Sequence, residues 1–189
     1  MQTTKNLIVK EVSHIEVDNP YFSNTYIDYI YKAKIDIYGR KFGGILIIKK
    51  IDENSHRLIF TTEFGNKLFD FLFENDTVIN NFVIEELDKK FIVNTLRNDF
   101  KLLVSEKNKV LNQFDSGLED IYKTIDGKQF NFYFINKKSH TLDKITRTSK
   151  SKVIVEVLFS NVESVIANSI LIHHKNIKLN IALELFKKD

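Results

Sequence analysis

Five histidines, His14, His56, His140, His173 and His174, are the side chains that could bind a metal or move a proton near neutral pH. Only His173 and His174 are neighbours. Adjacent residues in a strand point to opposite faces, so these two cannot close on one ion. The histidines are expected at the surface or at strand ends, with no metal bound. Glu85, Glu86 and Asp88 form a tight carboxylate cluster that could in principle act as an acid–base pair. They sit where a strand pattern gives way to a helical one, and their simpler role is to complement the positive end of a helix. Asp70 stands alone between Phe69 and Phe71 and is expected on a solvated strand face. Gly39, Gly43 and Gly44 lack the spacing of a phosphate loop and are expected to mark a bulge or tight bend. The chain contains no G-x-S-x-G elbow, no G-x-x-x-x-G-K-[ST] loop and no G-x-G-x-x-G turn. Cysteine is absent, which excludes disulfides, thiolate metal sites and Cys nucleophiles. Neither an enzyme nor a cofactor is expected.

What remains is aromatic. The chain has 16 Phe and seven Tyr but no Trp. Phe69, Phe71 and Phe73 fall on one strand face, and Phe130, Phe132 and Phe134 on another. A Phe-rich core is the default reading. Two such walls could also line a pocket for an apolar ligand, and periodicity does not separate a filled core from a hollow one.

The elements that must position these residues are mostly strands. Apolar residues alternate with polar ones over Tyr29–Ile37, Leu58–Phe60, Val153–Phe159 and Ile177–Leu185. Gly39-Arg40-Lys41, Asp52-Glu53-Asn54-Ser55, Gly65-Asn66, Asn75-Asp76, Asp126-Gly127 and Asn136-Lys137-Lys138 read as short reversals between the runs. Short connections favour antiparallel neighbours. The pattern predicts a mainly β fold, a meander of about ten antiparallel strands. One segment departs from it. Leu87, Phe91, Ile92, Leu96, Phe100 and Leu103 describe a single helical stripe, which predicts a helix over 86–104, and a shorter helix is expected over Lys109–Phe114. A sheet of about ten strands curls or closes. The expected architecture is a strongly curved, half-open barrel with the long helix laid against its concave face as a lid.

Composition sets the outer limits. At 189 residues and 43% hydrophobic content the chain is expected to be one globular domain, 1–189, with residues 1–25 as an irregular lead. The 28 basic and 25 acidic side chains leave a net charge of +3, too balanced to suggest a nucleic-acid partner. No apolar run approaches the ~18 residues of a membrane span. Met1 is followed by polar Gln-Thr-Thr-Lys-Asn, which does not read as an export signal.

The order of patterns carries a resemblance. Y-K-A-K-I-D-I-Y-G from Tyr31, G-G-I-L-I-I-K-K from Gly43 and R-L-I-F-T-T-E-F-G-N-K-L-F-D-F from Arg57 precede the helix L-D-K-K-F-I-V-N-T-L-R-N-D-F-K-L-L. D-G-K-Q-F-N-F-Y-F, V-I-V-E-V-L-F-S-N and a long last strand follow. From about Tyr29 to Phe186 the chain resembles the LolA/LolB-like family of bacterial lipoprotein carriers and outer-membrane receptors, nearer the LolB-type receptor. The resemblance implies a cavity that accepts lipoprotein acyl chains or other lipids, lined here by Leu58, Phe60, Phe69, Phe71, Phe73, Phe91, Leu96, Phe100, Phe130, Phe132 and Phe134. It implies a protruding loop that touches membrane transiently, with Phe64 at its tip. It also implies a cavity arginine engaged in lid closure, for which Arg40, Arg57, Arg97 and Arg147 are the four candidates. The implied partner is a periplasmic carrier protein, and the implied state a monomer. The implied location is the periplasm, with attachment to the outer membrane through an N-terminal lipid that these 189 residues do not carry. The alternative is a structural or interaction module on the same fold that takes no ligand.

Overall fold

A computed structural model describes residues 7–75 and 77–186. Asp76 of the expected Asn75-Asp76 turn, and the first six residues of the expected lead, lie outside them. The described residues form fourteen strands. They are β1 (Ile8–Lys10), β2 (Glu16–Asp18), β3 (Asp28–Ile37), β4 (Arg40–Asp52), β5 (Ser55–Thr61), β6 (Lys67–Glu74) and β7 (Thr77–Val83). After the helix α1 (Lys90–Val104) come β8 (Lys107–Asp115), β9 (Glu119–Asp126), β10 (Gln129–Asn136), β11 (Leu142–Ser149), β12 (Lys152–Glu163), β13 (Ile166–His174) and β14 (Leu179–Leu185). The expectation of about ten strands is therefore corrected to fourteen. The excess includes the three-residue strands β1 and β2, which are too short to show a period.

All pairings are antiparallel. The sheet is two meanders, β3 to β7 and β8 to β14, joined where β14 pairs with β3. The path ends at β1 and β7, which do not pair with each other, so the sheet curves without closing. The segment joining the meanders contains α1, and α1 lies in the concavity between them.

Register assigns the faces. Tyr29, Tyr31, Ala33, Ile35 and Ile37 of β3 point inward and are all but fully buried, with Lys32 and Lys34 exposed between them. Opposite them stand Leu46 and Ile48, then Leu58 and Phe60, then Phe69 and Phe71, each without exposure. On the other side Leu183, Ile181, Ile172 and Val157 continue the wall. Gly44 is fixed by a close approach: a Cβ there would lie 1.9 Å from the carbonyl oxygen of Thr61. The expected bulge does not occur at Gly43 and Gly44, because β3 and β4 stay in register through both.

Two segments fill the concavity. Along α1, Val93, Leu96, Phe100 and Leu103 are buried, and Phe100 packs on Phe69 with ring centroids 5.6 Å apart. The other is the stretch from Asn19 to Phe22, part of the expected irregular lead. Asn19 donates to the Leu103 carbonyl at 2.8 Å, Tyr21 Oη donates to the Leu142 carbonyl at 2.7 Å, and Phe22 packs edge-on against Tyr29. Tyr21 and Phe22 are each 1% exposed.

Four further expectations are corrected. Lys109–Phe114 is strand, not helix: the Val110, Leu111 and Phe114 spacing looks helical because a register shift between Val110 and Asn112 interrupts the alternation. The long helix starts at Lys90 rather than 86 and has no acidic residue in its first turn. Glu85 and Asp88 belong instead to a preceding turn in which Asp88 N–H donates to the Ile84 and Glu85 carbonyls. Asp70 is not solvated. Arg57 grips it through two bonds of 3.0 and 2.8 Å, Lys67 and Asn81 add two more, and it is fully buried. These donors, Arg57 foremost, hold its carboxyl well below the ordinary carboxylate range.

Gly44→Ala is expected to abolish folding or lower stability severely, because the clash is with backbone. Tyr21→Ala should cost about 3–5 kcal/mol and Tyr21→Phe only about 1 kcal/mol, by chemical denaturation. Equal small losses for both Tyr21 variants would show that the segment does not seal the interior.

Candidate functional site

The expected cavity residues divide into three groups. Leu58, Phe60, Phe69, Phe71, Leu96 and Phe100 are packed together in the concavity, Leu96 with 1% exposure and the others with none. Phe69 stacks on Phe71 at 4.7 Å and tilts against Phe60 at 5.2 Å. Phe73 is nearly buried beside the C-terminal end of α1. These residues form solid core.

The second group lies on the opposite face. Tyr133 is the inward residue of β10, so Phe130, Phe132 and Phe134 point outward. Phe132 and Phe134 form a separate cluster with Phe114 and Ile121. Lys123 lies 4.0 Å from the Phe130 ring centre and Lys144 3.9 Å from that of Phe134, each covering an aromatic face with a cation. The two triplets expected to share one hollow thus belong to different faces of the sheet.

Phe91 is the third case. It sits in the first turn of α1, 52% exposed, and faces Tyr38 across 6.4 Å. Together with Ile37, Phe42, Leu87 and Ile92 these rings line a pocket of about 270 Å³ at the rim of the concavity. Its walls are mostly apolar, and its floor residues Ile37 and Leu87 belong to the core. Arg40 lies at its edge, beside the Phe42 ring and 3.5 Å from the Glu86 carbonyl. A larger cavity does not have this character. It measures about 530 Å³, lies beside the end of α1 and is walled by Lys50, Glu53, His56, Lys101 and Glu106.

Phe64 is on the same end of the sheet. The β3–β4 turn and the β5–β6 connection both lie beyond the N-terminal part of β4, as the Ile37–Arg40 and Ile45–Thr61 pairings require. Phe64 is 92% exposed. It is held on a tight turn: Gly65 N–H donates to the Thr62 carbonyl at 3.0 Å, Thr62 N–H to the Asn66 carbonyl at 2.8 Å, and Asn66 N–H to Thr62 Oγ1. Gly65 takes φ +85°, which suits glycine.

Polar side chains pin α1. Asp99, on its buried face, pairs with His174 Nε2 at 2.8 Å, and both are nearly excluded from solvent. Burial pushes the Asp99 carboxyl up, against the pull of His174 and Arg147. Arg97 donates to the Val78 carbonyl at 2.9 Å. Arg147 points inward from β11 with 4% exposure and reaches the Asn98 carbonyl at 3.4 Å. Among the four arginines, Arg147 alone is buried on the inward face: Arg57 is tied to Asp70 on the outer face, Arg97 to the edge strand β7, and Arg40 stands at the rim.

The sequence reading missed this polar interior. His56 and His174 do stand at strand ends, the second residue of β5 and the last of β13, but both are buried. His56 Nε2 bonds the Phe22 carbonyl at 3.1 Å and lies 3.3 Å from Glu106, which Lys50 also pairs at 2.7 Å. Their inward phase was readable: His56 is two residues from Leu58, and His174 two from Ile172. Asp99 has no such signal beyond its place beside Phe100. No group of three or more His, Cys, Asp or Glu among the described residues could hold a metal ion.

The chain matches no family model and no curated protein. Its fold does have solved counterparts. A LolA superfamily protein from Nitrosomonas europaea aligns with a TM-score of 0.53 at 9% identity, over 90% of each chain. A domain provisionally described as an outer membrane lipoprotein-sorting protein, from Vibrio parahaemolyticus, aligns with a TM-score of 0.50 at 7% identity, over 85% of this chain and 83% of that one. The protein therefore has a LolA-like fold. At these identities the likeness extends to the fold alone.

Asp99→Asn should weaken the pin without emptying the core. Amide exchange in α1 is expected to accelerate selectively, with a loss of about 1–3 kcal/mol; exchange that rises equally across the sheet would contradict a local role. Burial also lowers the His56 pKa. The unfolded chain then takes up this proton first as pH falls, so stability should decline as pH drops through the ordinary imidazole range near 6.5. His56→Gln should flatten that decline in a urea-denaturation series, and an unchanged pH slope would exclude His56 as its source.

Proposed function

We propose that the protein binds acyl chains of lipoproteins or related lipids and hands them on, without catalysis, in the bacterial envelope. The observation that carries this reading is the apolar rim pocket formed by Tyr38, Phe42, Leu87, Phe91 and Ile92. It lies where α1 meets the sheet, so an acyl chain entering there meets the core residues under the helix. A volume of about 270 Å³ falls just below the ~300 Å³ at which small-ligand sites usually begin. It suits the end of one chain. Fuller insertion requires α1 to shift against the polar bonds that hold it, among them Asp99–His174, Arg97–Val78, Asn19–Leu103 and the long Arg147–Asn98 contact.

Within this reading the chain works in the periplasm as a receptor of the LolB type, anchored at the outer membrane by an N-terminal lipid and loaded by a carrier protein. The support is Phe64, an exposed aromatic on a pinned turn at the same end of the sheet as the pocket. One Phe contributes about 1.5–3 kcal/mol of apolar burial, enough for brief membrane contact.

The second reading, an interaction module without a ligand, is favoured by the filled interior. Phe22, Phe69 and Phe100 leave no continuous hollow beneath α1.

Titration with a fluorescent fatty acid separates the two. Saturable binding is expected, with Ile92→Asp weakening it at least tenfold and Phe64→Glu leaving it unchanged. In transfer to vesicles, Phe64→Glu should lower the rate about tenfold, the equivalent of ~1.4 kcal/mol. No saturable binding, together with no lipid in the purified protein by mass spectrometry, would leave only the ligand-free module.

A further inference from the structure

A second cleft lies on the other flank of α1, away from the rim pocket, and its chemistry is different. It measures about 200 Å³ and is bounded by the last turn of α1, the start of β8, and the inward faces of β9, β10 and β11. Four of its lining residues are cations, Lys101, Lys107, Lys109 and Arg147, against one carboxylate, Asp126. At its floor are Thr124, Asn131 and Arg147, with 2%, 3% and 4% exposure.

Three features distinguish this floor from ordinary polar packing. Thr124 Oγ1 is buried beside Tyr133 Oη, and neither makes a hydrogen bond of ordinary geometry, although buried hydroxyls are nearly always satisfied. Arg147 spends only part of its donor set: Nε donates to Asn131 Oδ1 at 2.8 Å, Nη2 to Asp126 Oδ2 at 2.7 Å, and Nη1 only weakly to the Asn98 carbonyl at 3.4 Å. A guanidinium carries five N–H donors. Finally, the carboxylate facing this buried cation is itself 43% exposed, at the end of β9 beside the turn at Gly127. Asp126 can turn outward and be replaced, while Arg147 cannot leave.

We propose that this cleft binds a phosphate-bearing anion, with Arg147 and Thr124 donating from the floor, Lys107 and Lys109 neutralising charge from the rim, and Asp126 occupying the Arg147 fork when the anion is absent. The volume is several times the ~30 Å³ of a liquid water, which leaves room for a phosphate group. A planar guanidinium matches two phosphate oxygens at once. Lys107 and Lys109 face Asp18 and Glu16 across the β2–β8 pairing, but form no ion pair with them. The site uses none of the rim-pocket residues and shares with the acyl reading only Arg147, whose contact with Asn98 also holds α1.

Inorganic phosphate is the first probe, titrated at constant ionic strength against the full chain with amide shifts as the readout. Saturating shifts at Thr124, Asn131, Arg147 and Lys107 are expected. Thr124→Val removes a hydroxyl whose only near neighbour is the Tyr133 hydroxyl, so the fold should hold while phosphate binds about tenfold more weakly. Asp126→Asn is the discriminating variant: loss of the competing carboxylate should tighten phosphate binding. If Arg147 and Asp126 are merely a structural pair, Asp126→Asn leaves phosphate affinity unchanged or lower, and the proposal fails. It fails equally if phosphate gives no saturable shift, or if chloride gives the same one. The source of the phosphate is read from two competitors. Displacement by glycerol phosphate alone indicates a soluble ligand. Displacement by phosphatidylglycerol vesicles as well indicates a lipid headgroup. Fatty-acid binding is scored separately, so failure of either reading leaves the other standing.

Discussion

The structure depends on covering the inward face of a sheet that curls but does not close. A closed barrel of this kind would complete its hydrogen bonding and fill itself with side chains. Here β1 and β7 end the path unpaired, and the concave face carries a continuous apolar wall. Apolar surface of that extent must be removed from water. Two stretches of the same chain do this, α1 from one flank and Asn19–Phe22 from another. They also touch, through Asn19 and the Leu103 carbonyl and through Asn19 N–H and the Glu106 carbonyl. The fold is therefore a sheet that encloses parts of its own chain.

This arrangement explains why polar groups lie so deep. A helix laid across a twisted apolar surface has many nearly equivalent seats, because dispersion and burial are weakly directional. Asp99 against His174, Arg97 against Val78 and Arg147 against Asn98 select one seat. Buried ion pairs add little net stability, since desolvation offsets their attraction. Here their role is to fix position. Asp70 serves the outer face in the same way, tying Arg57 and Lys67 of neighbouring strands to one carboxylate.

Much of this was legible in the sequence, and the failures share a cause. Tyr29 to Ile37 and Ile177 to Leu185 alternate cleanly because each has one wet face and one dry face. The helix stripe from Phe91 to Leu103 was equally readable. Where both faces of a strand are covered, alternation loses its meaning. β10 has Tyr133 packed inward and Phe132 packed outward, each with no exposure, so an aromatic triplet could not reveal which wall it lined. Asp70 misled for the same reason: a polar residue between apolar ones reads as wet, yet Arg57 of β5, Lys67 of β6 and Asn81 of β7 all bond it. A register shift inside β8 produced a false helical spacing. The Asn19–Phe22 segment has no period at all, and its burial follows entirely from distant contacts. Phe64 was placed at a loop tip by the family resemblance and not by any period in the sequence, and its 92% exposure follows from the turn that holds it.

The filled interior bears directly on how an acyl chain could be held. The six buried apolar residues of α1, Val93, Leu96, Phe100, Leu102, Leu103 and Val104, contribute roughly 1.5–3 kcal/mol each when removed from water. An acyl chain gains about 0.8 kcal/mol for each buried methylene. On that scale roughly eleven to twenty-two methylenes match what the helix face contributes. A fatty chain of ordinary length can then take the helix's place at small net cost, once the polar pins are broken. Such an exchange is nearly balanced in both directions. Balance is what a hand-over step requires, because a cavity that stood open and dry would hold its cargo more tightly than the next site could take it. A self-filled concavity is thus consistent with transient acyl binding, provided that α1 and not the sheet is the part that yields.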